Sequence, residues 1–276
     1  LKFFTMNPAS VTKLTIITVV YNDVKNIKQT LRSVIKLKND PQRNFDISYI
    51  VIDGASTDGT LEVLNQHRKS IDVLVSEPDN GIYDAMNKAT RFASDNDWLI
   101  WVNSGDIIIE TIKYLPLNSS TSQAIFCSVK LEDGRITNPR INLPYDERTL
   151  FPNAVIRHQG FIIKKCFFDE IGPYSLSVGL QADGLLMSKA ILSGKWETSH
   201  VQSCIFLLNG ISNRAHLKTL ISYFKVVNSL GLSPVLIVWH QKKYIIKAVI
   251  RIILPSAINN FISKSSKLRR VFNILL

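Results

Sequence analysis

No carboxylate follows Glu197 in this 276-residue chain. Residues 1–197 carry all 22 acidic side chains and 22 of the 33 lysines and arginines, so the formal excess of +11 belongs entirely to the C-terminal part. The body is therefore neutral and the tail strongly basic. Aromatic side chains are not interleaved with those cations, which argues against a single-strand nucleic-acid platform. Cysteine is scarce as well. Cys127, Cys166 and Cys204 are odd in number and widely spaced, with no C-x-x-C, which excludes a disulfide framework and a zinc site as readings and fits a reducing cytoplasm. The short apolar start before Asn7 and Pro8 is too little for a secretory signal or a membrane span. Several motifs are missing: H-E-x-x-H, G-x-S-x-G, the phosphate loop G-x-x-x-x-G-K-[ST], and G-x-G-x-x-G after the first apolar run. Zinc peptidase, serine hydrolase, ATPase and dinucleotide dehydrogenase readings lose their support with them. There is no internal repeat and no low-complexity stretch.

What is present reads as an α/β protein. An apolar content of 46% with 20% charged residues suits a globular chain able to bury a full core. Residues 14–20 form a nearly unbroken β-branched run, the composition of a central parallel strand covered on both faces. A helix is expected over 26–37, with Ile27, Leu31, Val34 and Ile35 inward. A strand follows at 48–52, a helix at 60–67 with Leu61 and Leu64 inward, a strand at 72–75, a helix at 83–93 and a strand at 98–102. This alternation predicts βαβ units in a doubly wound sheet. Beyond 106 the pattern mixes, with strands expected near 124–130, 160–164 and 204–208 and a helix over 182–193. A boundary is expected near Gly210-Ile211-Ser212, where the composition turns basic.

Three apolar runs end in polar residues: Val20 before Tyr21-Asn22-Asp23, Ile52 before Asp53-Gly54, and Val102 before Asn103-Ser104-Gly105-Asp106. In a parallel sheet these ends share one edge, where ligands settle. Asp53 can cap the next helix or accept a hydrogen bond from a nucleobase N–H or ribose hydroxyl, while Asp58 suits the cap. The segment from Asp79 to Asn87 is a turn leading into a helix N-terminus that favours an anion such as a diphosphate. Within it, Asp84 can compensate the helix dipole or serve the ligand. Asp106 is the leading candidate for a metal ligand, since a hard cation bridging phosphates needs only one or two protein carboxylates. Asp183 stands where a helix cap would, and His158 with Gln159 precedes an apolar run where a lone histidine is usually structural.

Taken together, I-I-T-V-V-Y-N-D, V-I-D-G-A-S-T-D-G-T, S-E-P-D-N-G-I-Y-D-A-M-N-K-A and N-S-G-D, followed by R-H-Q-G-F and Q-A-D-G-L, resemble in order and spacing the inverting family 2 glycosyltransferases of the GT-A fold. The likeness covers roughly residues 14–212 and looks closest to bacterial colanic-acid and O-antigen enzymes of surface polysaccharide synthesis. It implies a Rossmann-like, mostly parallel sheet with helices on both faces in residues 1–212. A nucleotide-sugar half would span about 14–106 and an acceptor half about 107–212, with a basic helical extension over 213–276. By the same resemblance Val19, Tyr21, Asp53, Asp84 and Asn103 line the donor site, Asp106 holds Mg²⁺ or Mn²⁺, and Asp183 is the general base. His158 and Gln159 fall on the acceptor side. The donor would be a UDP-sugar by default, or a GDP- or dTDP-sugar, and the acceptor a lipid-linked oligosaccharide.

Two departures from the family pattern stand out. Its D-x-D is reduced here to Asn103-Ser104-Gly105 followed by Asp106 alone, and Met86 stands where many relatives carry Arg. A nucleotidyltransferase is a second reading, although Tyr21-Asn22-Asp23 stands where its glycine-rich, basic signature belongs. A non-catalytic nucleotide- or glycan-binding protein is a third, opposed by the presence of both Asp106 and Asp183. In the tail, Lys243, Lys247 and Arg251 share one helical stripe and Ile246, Val249, Ile250 and Ile253 another. Such a helix is too short for the roughly 20 residues of a span, but it can lie on anionic lipid at the inner face of the cytoplasmic membrane or pack on the body.

Overall fold

The computed structural model describes residues 12–141, 156–207 and 216–231. The chain divides into a larger unit, Leu1–Ile141, Val155–Leu176 and Asp183–Leu208, and a smaller one, Asn142–Ala154, Ser177–Ala182 and Asn209–Leu276.

In the larger unit, β1 (Lys13–Val20) is buried along all but its first residue, as a strand with neighbours on both sides and helices on both faces must be. It pairs in parallel with β2 (Asp46–Asp53) on one side and with β4 (Trp98–Trp101) on the other, and β2 pairs in parallel with β3 (Val73–Ser76). The helices between them are α1 (Ile27–Lys38), α2 (Thr60–Gln66) and α3 (Ile82–Thr90). Helix α1 buries Ile27, Leu31, Val34 and Leu37 together with Thr30, while the expected Ile35 is only partly covered. In α2 Val63 joins Thr60 and Leu64 in the core, while the expected Leu61 is only partly covered. Helix α3 stops three residues short of the expected 93, in turns at Arg91, Phe92 and Ala93.

Chain order runs outward from β1 through β2 to β3, and the next strand, β4, lies on the opposite side of β1. That reversal is a topological switch point, which opens a crevice outside the carboxyl ends of β1 and β4. Past β4 the pairing changes. Strand β8 (Phe161–Lys164) runs antiparallel to both β4 and β6 (Ala124–Leu131), β6 runs parallel to β9 (Trp196–Phe206), and β9 takes the two-residue β5 (Ile107–Ile108) antiparallel. The short β7 (Ile136–Thr137) folds back on β6 as a hairpin. The strand expected at 204–208 therefore starts eight residues earlier. Its first part, Trp196 to Gln202, is mostly polar and has no apolar run, so it is held by pairing with β6. Helix α4 (Lys165–Ile171) packs against β8, and α5 (Ala182–Leu192) precedes β9.

The smaller unit contributes α6 (His216–Ser229). The Leu180 amide donates to Ser222 Oγ at 3.1 Å, and Lys225 Nζ reaches the Ser177 carbonyl at 2.8 Å. The stripe at 243–254 lies outside the described residues. No helix among the described residues is long and apolar enough to cross a membrane.

Candidate functional site

The carboxyl ends of β1, β2 and β4 are tied to one another by backbone bonds. The Gly54 amide donates to the Val20 carbonyl at 2.9 Å, Glu77 to that of Asp53 at 3.0 Å, and Ser104 to that of Val19 at 3.3 Å. Asp53 ends β2 with no exposure at all. Its Oδ2 accepts from Ser76 Oγ at 2.6 Å and from the Ser56 amide at 3.1 Å, whereas its Oδ1 is buried without a partner. A buried carboxylate oxygen left unpaired costs on the order of 1–3 kcal/mol, which a ligand donor would recover. Above it lies Gly54. A Cβ built there would fall 2.6 Å from Asp79 Oδ2 and 3.2 Å from a Tyr21 ring carbon, so only glycine lets these two groups close over the strand end. Tyr21 is 65% exposed, offering a ring face at the rim. Val19 is buried in β1 and borders the site through its carbonyl.

Two loops form this rim and hold each other. Asn22 and Ala55 adopt left-handed backbone conformations, with φ of 49° and 60°. The alanine pays roughly 1–2 kcal/mol for it. Reciprocal bonds offset the strain: the Asn22 amide donates to Ser56 Oγ, and the Thr57 amide donates to Asn22 Oδ1, both at 2.8 Å. Asp58 accepts from the Thr60 amide and hydroxyl at the start of α2 and also from the Val24 amide, so it ties the first residue of the helix, whose N-cap is Gly59, to the β1–α1 loop. These bonds hold its carboxyl below the usual range, the Thr60 hydroxyl contributing most.

The segment Asn103 to Asp106 is anchored on α1. Thr30 Oγ1 donates to the Asp106 carbonyl at 2.7 Å and accepts from the Gly105 amide at 3.0 Å, while Gln29 Nε2 donates to the Gly105 carbonyl at 2.6 Å. Gly105 has φ +98°, and a Cβ there would meet Leu207 at 3.0 Å. Asp106 is 5% exposed; burial pushes its carboxyl up to about 7, against hydrogen bonds from the Leu207 amide and the Gln159 side chain. Asn103 Oδ1 is buried without a partner. The described residues contain no cluster of three or more acidic, histidine or cysteine ligands. A single carboxylate and an orphaned amide oxygen still fit a hard divalent cation that takes its remaining ligands from phosphate and water.

Asp84, in the first turn of α3, turns back on its own loop. Its Oδ2 accepts from the Asn80 amide at 2.9 Å and lies 3.6 Å from Lys88 Nζ. Lys88 also bonds Glu77 at 2.9 Å and the Pro78 carbonyl at 2.8 Å, closing the turn between β3 and α3. Next on the helix, Asn87 grips the Tyr174 backbone in both directions, at 2.9 and 3.0 Å.

Asp183 opens α5, where its Oδ1 accepts from its neighbour's amide, Gly184, at 2.8 Å and from Tyr83 Oη at 3.0 Å. Tyr83 stacks at a tilt on Tyr174 with ring centroids 5.4 Å apart, and Tyr174 Oη meets His158 Nε2 at 2.7 Å. His158 is 7% exposed and packed beside Trp101, and burial lowers its pKa despite the charge of Asp183. Of the residues expected on the acceptor side, His158 thus sits within an aromatic cluster and Gln159 on Asp106. Sequence reasoning missed Thr30 and Gln29, whose hydroxyl and amide roles carry no spacing signal, and Tyr174, which joins the site only through tertiary packing. Ser76, Asp79 and Tyr83 lie inside the recognised motif without an assigned task.

Residues 15–111 match the family model described as Glycosyl transferase family 2. An uncharacterized glycosyltransferase of Mycobacterium tuberculosis is 26% identical over 210 residues, which are 72% of this chain and 77% of that protein. Among solved structures, S. aureus TarS in complex with UDP-GlcNAc aligns over 92% of this chain and 76% of its own, with 18% identity and a TM-score of 0.56. The mannosyltransferase PcManGT from Pyrobaculum calidifontis, in complex with GDP-Man and Mn²⁺, aligns over 97% of this chain and 87% of its own, with 17% identity and a TM-score of 0.58. With the sheet order and the switch point between β1 and β4, the structural matches identify the GT-A fold, and residues 15–111 are similar to the family 2 glycosyl transferases.

Proposed function

We propose that this chain transfers a sugar from a nucleoside-diphosphate sugar to a glycan acceptor with inversion at the anomeric carbon, in the synthesis of a bacterial surface polysaccharide. The observation that carries the reading is the wholly buried Asp53, whose orphaned Oδ1 lies at the switch-point edge and accepts the imide N–H of a uracil or a ribose hydroxyl. Tyr21 then provides the ring face beside the base, and the relatives bound to UDP-GlcNAc and GDP-Man support a nucleotide donor, UDP being our default. Asp106 and Asn103 hold Mg²⁺ or Mn²⁺; when bound, such a cation neutralises charge on the departing diphosphate.

Asp183 is the general base. Tyr83 and the Gly184 amide hold its Oδ1, which aims Oδ2 at an acceptor hydroxyl. That oxygen attacks the anomeric carbon as the bond to the diphosphate breaks, its proton passing to Asp183, and the configuration inverts. A positioned base contributes roughly 10²–10⁴-fold, and in-line alignment of the two substrates lowers the entropic barrier further. His158 and Gln159 support the acceptor side indirectly, through Tyr174 and Asp106. The catalytic domain is taken as residues 1–212. The basic extension over 213–276 rests on anionic lipid at the inner face of the cytoplasmic membrane, each cation near the surface worth about 1 kcal/mol. That position suits a lipid-linked oligosaccharide acceptor.

The test is nucleoside-diphosphate release from UDP-, GDP- and dTDP-sugars, with and without Mn²⁺, using membrane extract as acceptor. Release from one donor that needs metal and disappears in Asp183→Asn supports the assignment. Release that persists in that variant removes Asp183 from the role. Nucleotide binding without release from any donor favours a binding protein on the same fold.

A further inference from the structure

A second concave feature of the larger unit has no part in the reading above. It is an open cavity of about 440 Å³ between the β6–β7 hairpin and Arg157, lined by Arg135, Arg140 and Arg157 with Leu131, Thr137 and Asn138. The hairpin is well fixed. Leu131 and Arg135 are joined through their backbones at 2.7 Å, Gly134 takes the left-handed turn position with φ +87°, and Ser128 Oγ donates to Asn138 Oδ1 at 2.8 Å. Arg157 is half-buried. Its Nε donates to Thr137 Oγ1 at 3.3 Å, and its guanidinium covers the Phe206 ring at 5.6 Å. Asp133 pairs with Arg135 at 2.6 Å, but among the described residues neither Arg140 nor Arg157 has a carboxylate partner. Burial and the nearby charge of Arg135 hold Arg157 below the usual guanidinium range, as expected where cations gather without an anion.

Two short chain connections link the cavity's lining to the proposed reaction centre. Arg157 stands two residues before Gln159, whose side chain hydrogen-bonds Asp106. Phe206, under the Arg157 guanidinium, precedes Leu207, whose amide lies 3.4 Å from Asp106 Oδ1. Guanidinium forks match phosphate oxygens in a bidentate manner, and the volume exceeds what a lone carboxylate fills. In the proposed function the donor's own diphosphate is served by the cation that Asp106 and Asn103 would hold. We propose that this arginine-lined cavity binds a phosphoryl group carried by the acceptor, and so makes the enzyme selective for phosphate-bearing acceptors.

The inference rests on the transferase reading, and its test separates the two. Inorganic phosphate is titrated by calorimetry into the full chain, first alone and then with the chain saturated with UDP and Mg²⁺. Binding should be equal in both arms and weaken roughly tenfold or more in Arg140→Gln/Arg157→Gln, the scale of a lost charge-assisted hydrogen bond. Arg140→Gln alone, which removes an exposed side chain without disturbing the packing on Phe206, should weaken it a few-fold. In the transfer assay the double variant should require more acceptor at an unchanged donor KM. Loss of phosphate binding when UDP is added would assign the cavity to the donor and overturn the proposal. So would the absence of phosphate binding, or equal binding by the double variant. UDP binding, read in the same instrument, reports on the transferase reading alone: its absence would sink that reading while the phosphate arm still tests the cavity.

Discussion

The two halves of the sheet are built on different rules. From β1 to β4 every pairing is parallel, the strands are largely apolar, and Asp53, Asn103 and Asp106 lie at or just past strand ends. From β5 to β9 parallel and antiparallel pairings mix, and β9 is only partly buried along most of its length. The candidate groups there are set by tertiary contacts: Asp183 by Tyr83 of the other half, and Gln159 by Asp106. The first half offers a preformed edge of strand ends, which in the proposed function takes the donor. The second half would bring the base to that edge, and Asp183 is aligned there by Tyr83 of the first half.

The comparison is sharpened most by separating binding from turnover. Asp183→Asn should reduce transfer by about 10²-fold or more while UDP affinity stays within experimental error. Asp53→Ala should do the reverse, weakening UDP binding by roughly tenfold or more through loss of the buried acceptor; calorimetry with UDP and Mn²⁺ checks both. If Asp183→Asn weakened UDP binding as strongly as Asp53→Ala, the division into donor and acceptor halves would fail. For stability, Ile17→Ala in the wholly buried β1 should cost about 2–5 kcal/mol, against clearly less for Ile205→Ala in half-exposed β9, measured by urea unfolding.

How much was legible follows the same divide. A central strand declares itself by a β-branched run, so β1, β2 and β4 were readable to within two residues, and with them Asp53 and Asp106 at their ends. Strand β9 has no such run before Ser203, because pairing with β6 and not burial holds Trp196 to Gln202 extended. The two-residue strands β5 and β7 are too short to leave a period. In the site, carboxylates were recognisable by type and position. The Tyr83–Asp183 bond, spanning 100 residues, and the Asn87 clamp on Tyr174 depend on docking that no local pattern encodes.

A pH titration probes the aromatic link between the halves. Burial holds the His158 pKa in the folded chain below the ordinary 6.5, so the unfolded chain takes up the proton first. Stability from this source is present above 6.5 and is lost as pH falls through 6.5 toward the folded value. His158→Gln should therefore flatten the fall in Tm between neutral and mildly acidic pH, and an unchanged slope would remove His158 as its cause. The smallest effect is expected at Ala55→Gly. Relief of left-handed strain competes with the greater freedom of glycine in the unfolded chain, leaving a gain of no more than about 1 kcal/mol.

The mutual clasp of the loops after β1 and β2 also bears on the kinetics of recognition. With Asn22 already bonded to Ser56 and Thr57, and Asp58 to Val24, little of the rim is left to order when a nucleotide arrives. Association should then proceed as encounter with a rigid slot, and differences in affinity among nucleotides should appear as differences in residence time, with on-rates held nearly constant.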